Sequence, residues 1–197
     1  MKKVFLPIIF TVFLCNIISL GQTQRTLSKT AKPRTVAITF DDLPSGPEHD
    51  VKTLETLTIK LLHTLMAHNV PVVGFVNEGK LHRANEFEIR RSILKKWLDN
   101  GFELGNHTYS HPYFFQMPVT DFQQDVIRGE VVITDLLKKK GMKLRYFRHP
   151  FLSTGPDQKT KVEFEKFLSS RGYTVAPVTI DNSDWLFAAV YTYAFKR

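Results

Sequence analysis

The chain has 197 residues, of which 43% are hydrophobic, 12% aromatic and 23% charged, and Cys15 is its one cysteine. This composition is typical of one globular domain and excludes a disordered, collagen-like or disulfide-stapled chain. The formal net charge is +8, but the basic residues form short runs within or at the ends of predicted helices, such as Lys138 to Lys140, so we expect no nucleic-acid partner.

Residues 1–21 have the pattern of a secretory signal peptide. Two lysines precede an apolar run from Val4 to Leu14, and small residues favour cleavage after Gly21. An uncleaved membrane anchor is the alternative, but the stretch from Val4 to Leu20 is short for a span and is interrupted by a proline and an asparagine. We therefore predict export to the periplasm or the cell exterior, with no stable membrane span once the signal is removed.

A polar linker, residues 22–34, leads into a predicted single domain at 35–197. Short apolar runs rich in β-branched and aromatic residues predict strands at 36–40, 72–76, 102–105, 144–147 and 173–178. Apolar residues at three- and four-residue spacing predict helices at about 50–69, 87–98, 120–140, 157–171 and 184–197. Thr120 with Gln123 predicts a capping box at the start of the third helix.

Strands that alternate with helices predict a parallel α/β sheet with right-handed crossovers. An open doubly wound sheet and a barrel are the two alternatives, and five such units fit neither a complete eightfold barrel nor an obvious nucleotide-binding fold. No glycine-rich phosphate loop follows the first strand. In both architectures the chemistry collects at the carboxyl ends of the strands, so the residues after each strand are the first functional candidates.

Four of the predicted strands are followed by candidate functional pairs, which are Asp41 and Asp42, His107 and His111, Arg148 and His149, and Asp181 and Asp184. Two histidines four residues apart and one aspartate make three protein ligands for a metal ion, and a fourth position remains for water. Such an ion lowers the pKa of the water to about 7 and polarises a carbonyl group, which favours hydrolysis.

The adjacent aspartates Asp41 and Asp42 suit complementary roles. Consecutive residues point in different directions, so one carboxylate can bind the ion while the other removes a proton from water. Arg148 can orient the free carboxylate and keep it ionised, with Asp184 balancing the guanidinium. The alternative is that the aspartates form an ordinary turn or cap and that the histidines are simple loop residues.

Four segments in this order resemble the motifs of the polysaccharide deacetylases, also called the NodB-homology domain or carbohydrate esterase family 4. They are Thr39–Asp42, His107–Pro112, Arg148–Phe151 and Asp181–Trp185. The resemblance spans about residues 36–185. It implies an incomplete (β/α) barrel and a metal-dependent hydrolase that removes N-acetyl groups from a polysaccharide or oligosaccharide.

The resemblance also implies the metal site and the base. Asp41 would be the general base, and Asp42, His107 and His111 would bind a divalent metal. Zn²⁺ is the expected ion, although Co²⁺, Ni²⁺ and Mn²⁺ suit the same ligands. The expected partner is an N-acetylated glycan substrate.

The remaining matched residues would surround the base and the substrate. By the resemblance Arg148 positions the base, Asp184 tunes the neighbouring groups and Trp185 forms a wall of the acetyl pocket. Pro150 and Phe151 would also bind substrate.

One family feature has no counterpart, because the family supplies its general acid from a late histidine and no histidine follows His149. Three interpretations remain: the chain is a C-terminally truncated piece, His149 substitutes, or the domain binds metal without efficient turnover. We expect truncation, because the apolar segment from Leu186 to Tyr191 should pack under further chain. The alternative functions are an impaired glycan- or metal-binding remnant and an O-acetyl esterase on acetylated glycans.

Overall fold

Five parallel strands form one sheet whose spatial order follows the chain. They are β1 (Ile38–Leu43), β2 (Val72–Val76), β3 (Glu103–Asn106), β4 (Tyr146–Phe147) and β5 (Thr174–Val175). The structure is a computed structural model that describes residues 35–45 and 50–195. The predicted α/β class is confirmed, whereas the predicted signal peptide and the predicted linker lie outside the described residues.

Six α-helices connect and follow the strands in the described part of the chain. They are α1 (Val51–Ala67), α2 (Phe87–Asp99), α3 (Val119–Arg128), α4 (Val131–Lys138), α5 (Gln158–Ser170) and α6 (Asp184–Phe195). Two of them begin with aspartate caps: Asp50 accepts a hydrogen bond from the Thr53 amide, and Asp157 from the Thr160 amide. Within the described ranges, none of the helices has both the length and the apolar character that a bilayer crossing requires.

The sheet is curved, so that its edge strands approach each other. Arg148, directly after β4, donates from Nη2 to Thr39 Oγ1 of β1 at 3.1 Å and from Nε to the Ala176 carbonyl, directly after β5, at 2.6 Å. In a flat sheet β1 and β5 would be about 19 Å apart, at four strand spacings. One guanidinium contacts both edges only because the sheet bends toward a barrel. This agrees with the predicted incomplete barrel.

The hydrophobic core has two parts. The larger part packs α1, α2 and α4 against the first three strands around fully buried residues such as Val76, Trp97 and Ile133. The smaller part is mainly aromatic: the Phe114 and Phe122 rings stack at 4.0 Å, and the Phe164 ring lies edge-on to both at 5.0 Å. Tight packing of this kind holds the loops above it in fixed positions.

β1 extends further than the sequence predicts. We expected the strand to end before Asp41, but it continues to Leu43, and its register with β2 shifts between Phe40 and Leu43. An extra residue in one strand bends it and re-aims the side chains nearby. The two aspartates therefore lie within an irregular strand end rather than after it. The last two strands are instead shorter than the sequence predicts, since β4 and β5 contain only two residues each.

The predicted third helix is wrong as a single element. It is divided at Gly129 into α3 and α4, and its N-cap is Pro118, so the expected capping box does not form. A Cβ atom on Gly129 would lie 2.8 Å from the Thr108 carbonyl carbon and 2.9 Å from the Tyr109 amide nitrogen. The loop after β3 therefore passes directly against the break, which only glycine permits.

Gly105 allows β3 to lie between two neighbours, and we expect Gly105→Ala to destabilise the fold by about 1–3 kcal/mol. An alanine Cβ would lie 2.5 Å from the buried Phe75 ring and 3.1 Å from the Tyr146 carbonyl oxygen. The measurement is the free energy of unfolding from urea denaturation. Gly141→Ala is the control, because its Cβ meets open space and only its positive φ of 69° adds strain. A cost for Gly105→Ala no larger than the control's would contradict the prediction.

Candidate functional site

Three predicted metal ligands converge at the carboxyl ends of β1 and β3. One ligand atom each from Asp42, His107 and His111 lies within 4.8 Å of the others. His107 is buried, whereas Asp42 and His111 are half-buried. Two imidazole nitrogens and a carboxylate oxygen at these separations suit a small divalent ion such as Zn²⁺. The residues present therefore fit the metal that the sequence predicts.

The backbone at the site adopts conformations that non-glycine residues rarely take. Asp42, Thr108 and His111 all have positive φ, at 68°, 68° and 57°. Each such residue in the left-handed region costs free energy, and clusters of them are typical of functional sites. Because of the irregular end of β1, Asp41 approaches His107 (Oδ2 to Nε2, 4.0 Å) while Asp42 approaches His111 (Oδ1 to Nε2, 3.7 Å).

The two histidines are neutral and oriented for metal binding. His107 Nδ1 lies 2.8 Å from the Arg148 carbonyl oxygen, which can only accept, so Nδ1 carries the proton and Nε2 is free. Burial lowers the pKa of His107 to about 4, and burial likewise lowers the pKa of His111 to about 4. Neutral imidazole is the form that coordinates metals.

Asp41 is held by the buried guanidinium of Arg148. Nη1 of Arg148 lies 3.2 Å from each carboxylate oxygen of Asp41, and the guanidinium also covers the Phe75 ring at 4.5 Å. Burial raises the pKa of Asp41 above its ordinary value, although Arg148 opposes the rise. A carboxylate that is ionised, oriented and more basic than usual is suited to accept a proton.

Lys80 lies in the candidate site, although the sequence analysis did not single it out. Its Nζ lies 2.7 Å from Asp42 Oδ1 and 3.3 Å from the Asp42 carbonyl oxygen. Burial alone would raise the pKa of Asp42, but the Lys80 ammonium, helped by His111 and His107, holds it below the ordinary value. The sequence does carry a signal for it, because Lys80 follows the end of β2 by four residues, just as the other candidates follow their strands.

The turn after β2 joins the two strands that carry the metal ligands. The Asn77 amide nitrogen donates to the Leu43 carbonyl at the end of β1 (3.1 Å), and its side chain donates to the His107 carbonyl. The Gly79 amide donates to the Tyr109 carbonyl at 2.8 Å. Glu78, in the same turn, accepts a hydrogen bond from the Ile133 amide at the start of α4 (2.7 Å).

The loop between the two histidines is fixed by side chains on both of its sides. Asn106 accepts from the Thr108 amide (2.7 Å) and donates to the Val126 carbonyl of α3 (3.0 Å). Asp125 of α3 accepts from both the amide and the hydroxyl of Ser110, each at 2.9 Å. The C-terminal part of α3 therefore holds the loop that carries His107 and His111 in position.

The structure places the other predicted residues less closely around the metal ligands. Pro150 is buried, and the exposed Phe151 ring lies 4.5 Å from the His111 ring. Asp184 and Trp185 are exposed at the start of α6, where the Asp184 carboxylate accepts from the Trp185 amide. In the described ranges, the Arg148 side chain makes its hydrogen bonds to residues other than Asp184, so the predicted roles of Asp184 and Trp185 stay predictions.

Comparison with known proteins shows the family to which this arrangement belongs. The sequence profile of the polysaccharide deacetylases matches residues 28–174. The chain belongs to the polysaccharide deacetylase family. Its structure also has the fold of a family 4 carbohydrate esterase pseudoenzyme from Bacillus anthracis, with a TM-score of 0.56 at 18% identity over 75% of this chain and 44% of that one.

Two characterised deacetylases are similar in sequence. A peptidoglycan-N-acetylglucosamine deacetylase from Bacillus cereus is 27% identical over 150 residues, which cover 76% of this chain and 46% of that protein. A chitin deacetylase from Pestalotiopsis sp. is 25% identical over 153 residues, covering 78% of this chain and 44% of that protein. The chain thus matches less than half the length of these relatives.

Glu78 should make the stability of the protein depend on pH. Burial raises its pKa from 4.5 to about 7, so its protonated form favours the folded state. That stabilisation is complete below about pH 4.5 and is lost as the pH rises through 7. Between pH 5 and 8 we expect the protein to lose about 1–3 kcal/mol of unfolding free energy relative to Glu78→Gln, which cannot ionise.

The measurement is urea denaturation of both proteins at several pH values. The difference between the two proteins isolates Glu78, since the buried histidines titrate equally in both. A difference that stays constant from pH 5 to 8 would contradict the prediction.

Lys80 should weaken divalent metal binding, because its ammonium shares the Asp42 oxygen that the ion would use. We expect Lys80→Met to raise the affinity for Zn²⁺ about tenfold, measured by competition with a chromophoric chelator. Lys138→Met is the matched control, since Lys138 is exposed near the end of α4, away from the carboxyl ends of the strands. Weaker Zn²⁺ binding by Lys80→Met would instead show that the lysine holds Asp42 in place.

Proposed function

We propose that this protein is a metal-dependent hydrolase that removes N-acetyl groups from a polysaccharide or oligosaccharide. The observation that carries the proposal is the convergence of Asp42, His107 and His111, with the Asp41 carboxylate beside them and held by Arg148. The similarity to peptidoglycan and chitin deacetylases supports an amide of an acetylated amino sugar as the substrate bond.

The chain's own residues divide the chemistry between them. A divalent ion, most simply Zn²⁺, would supply positive charge that favours ionisation of water and stabilises the developing oxyanion. Asp41 lies against His107 and accepts the proton of the attacking water on its carboxylate, whose raised pKa makes it a better base. Arg148 keeps that carboxylate ionised and aimed at the site.

A second candidate function is binding of metal or glycan with little turnover, and the surroundings of His149 favour it. Its ring packs edge-on against Phe147 at 5.0 Å and Phe164 at 5.4 Å, and burial lowers its pKa to about 4. Such a histidine is neutral at neutral pH and has no proton ready for a departing amine. His149 is therefore a poor substitute for the late histidine that the family uses.

Export is part of the same proposal. The sequence pattern of residues 1–21, which is typical of a secretory signal peptide, supports export. The location of the proposed substrates supports it too, because peptidoglycan, chitin and similar acetylated polymers lie outside the cytoplasm.

Acetate release decides between turnover and binding. The purified protein is incubated with N-acetylglucosamine oligomers and with acetylated xylan, before and after chelation and with Zn²⁺ restored. We expect acetate from the N-acetylated oligomers, loss of release on chelation and recovery with Zn²⁺. Asp41→Asn should lower kcat at least a hundredfold while Zn²⁺ affinity stays within about threefold, because it removes the base and leaves the three ligands in place.

Asp121→Asn is the control, since Asp121 is an exposed aspartate in the first turn of α3. Release from acetylated xylan alone would identify an O-acetyl esterase. Zn²⁺ and glycan binding without acetate release would identify the second candidate function, and release unaffected by chelation would contradict metal dependence.

A further inference from the structure

Three exposed aromatic side chains lie in a row beside the metal ligands, and we refer to Tyr113, Phe115 and Phe151 as the aromatic platform. Phe151 is the nearest, with its ring 4.5 Å from that of His111. The Tyr113 ring lies edge-on to Phe151 at 5.5 Å, and the Phe115 ring stacks on Tyr113 at 5.5 Å and 21°. The three side chains are 43%, 51% and 61% exposed in sequence order, so the platform is open to solvent and continuous with the site.

The chain holds these rings outward although exposed aromatic surface is unfavourable. Phe114, between Tyr113 and Phe115, is completely buried in the aromatic part of the core and anchors the turn that carries them. Phe151 and Leu152 have positive φ, at 54° and 55°. A strained backbone that displays clustered apolar rings is typical of a ligand-binding surface rather than of a random solvent-facing loop.

The chemistry of the platform favours a neutral sugar. The C–H groups on one side of a pyranose ring form an apolar face, which is attracted to the electron-rich face of an aromatic ring. Among the described residues, no arginine or lysine lies over a ring of the platform, whereas Tyr109 and Phe75 are covered by arginines. A phosphate-bearing ligand would need such a cation nearby.

We propose that Tyr113 and Phe115 form a glycan subsite, which stacks on a sugar unit next to the one whose acetyl group lies at the metal ligands. Phe151 connects this subsite to the metal site, because it contacts both His111 and Tyr113. The subsite makes the protein select oligomers over short fragments. This inference rests on the proposed function for the identity of the central site.

The test separates ring stacking from simple apolar contact. Tyr113→Leu combined with Phe115→Leu keeps apolar volume and removes both rings, whereas Tyr113→Phe combined with Phe115→Tyr keeps both rings. Calorimetry measures the binding of the single sugar N-acetylglucosamine and of its tetramer to each protein, and acetate release is measured in parallel. Urea denaturation checks that both variants fold.

We expect the leucine variant to bind the tetramer about five- to tenfold more weakly, with affinity for the single sugar within twofold of the unaltered protein. The ring-keeping variant should bind both like the unaltered protein. Undiminished tetramer binding, or an equal loss for the single sugar and the tetramer, would overturn the subsite. A change in molar mass by light scattering with unchanged tetramer binding would overturn it too, since the platform would then contact a second copy of the chain.

The two proposals fail in different ways. If tetramer binding depends on the rings but the protein releases no acetate, the subsite is supported and the proposed hydrolase function is contradicted. If the protein releases acetate but shows no ring-dependent preference for the tetramer, the subsite is contradicted and the hydrolase function is supported.

Discussion

The fold and the candidate site both depend on the hydrogen bonds of one buried cation, the guanidinium of Arg148. Arg148 is 4% exposed, and a guanidinium removed from water requires anionic and carbonyl partners. It finds them in Thr39 and Asp41 of β1 and in the carbonyl of Ala176 after β5. These partners come from opposite edges of the sheet, so the interaction that curves the sheet is also the one that aims Asp41 at the metal ligands.

The candidate metal ligands come from strands that are not neighbours, and the turn after β2 holds the ends of those two strands in alignment. β1 carries Asp42 and β3 leads into His107 and His111, with β2 between them in the sheet. The turn after β2 hydrogen-bonds to the ends of both strands through Asn77 and Gly79. The same turn brings Lys80 to Asp42 and buries Glu78 against α4, so a short segment sets both the geometry and the charge of the site.

Local sequence patterns predicted the elements whose causes are local. α1 and α5 have clear apolar spacing and aspartate caps, and β2 is an uninterrupted apolar run, so these were predicted almost to the residue. The third helix was predicted wrongly because its division at Gly129 is caused by a loop about twenty residues earlier in the chain. Sequence spacing cannot show that approach.

The candidate site was predictable where its residues follow strands, and less so where the contact is made across the sheet. Asp42, His107 and His111 meet as their positions after β1 and β3 suggest. Lys80 reaches Asp42 from a third strand end, and nothing in the spacing between positions 42 and 80 indicates that contact. Asp184 lies on α6, whose placement depends on packing rather than on sheet order.

The left-handed backbone at Asp42 has a consequence for how such proteins change over time. Asparagine tolerates this conformation as well as aspartate does, and it has nearly the same shape. One exchange at this position would therefore remove the negative charge and leave the chain trace intact. The charge that would hold a metal ion and the backbone geometry that carries it are therefore separable at Asp42.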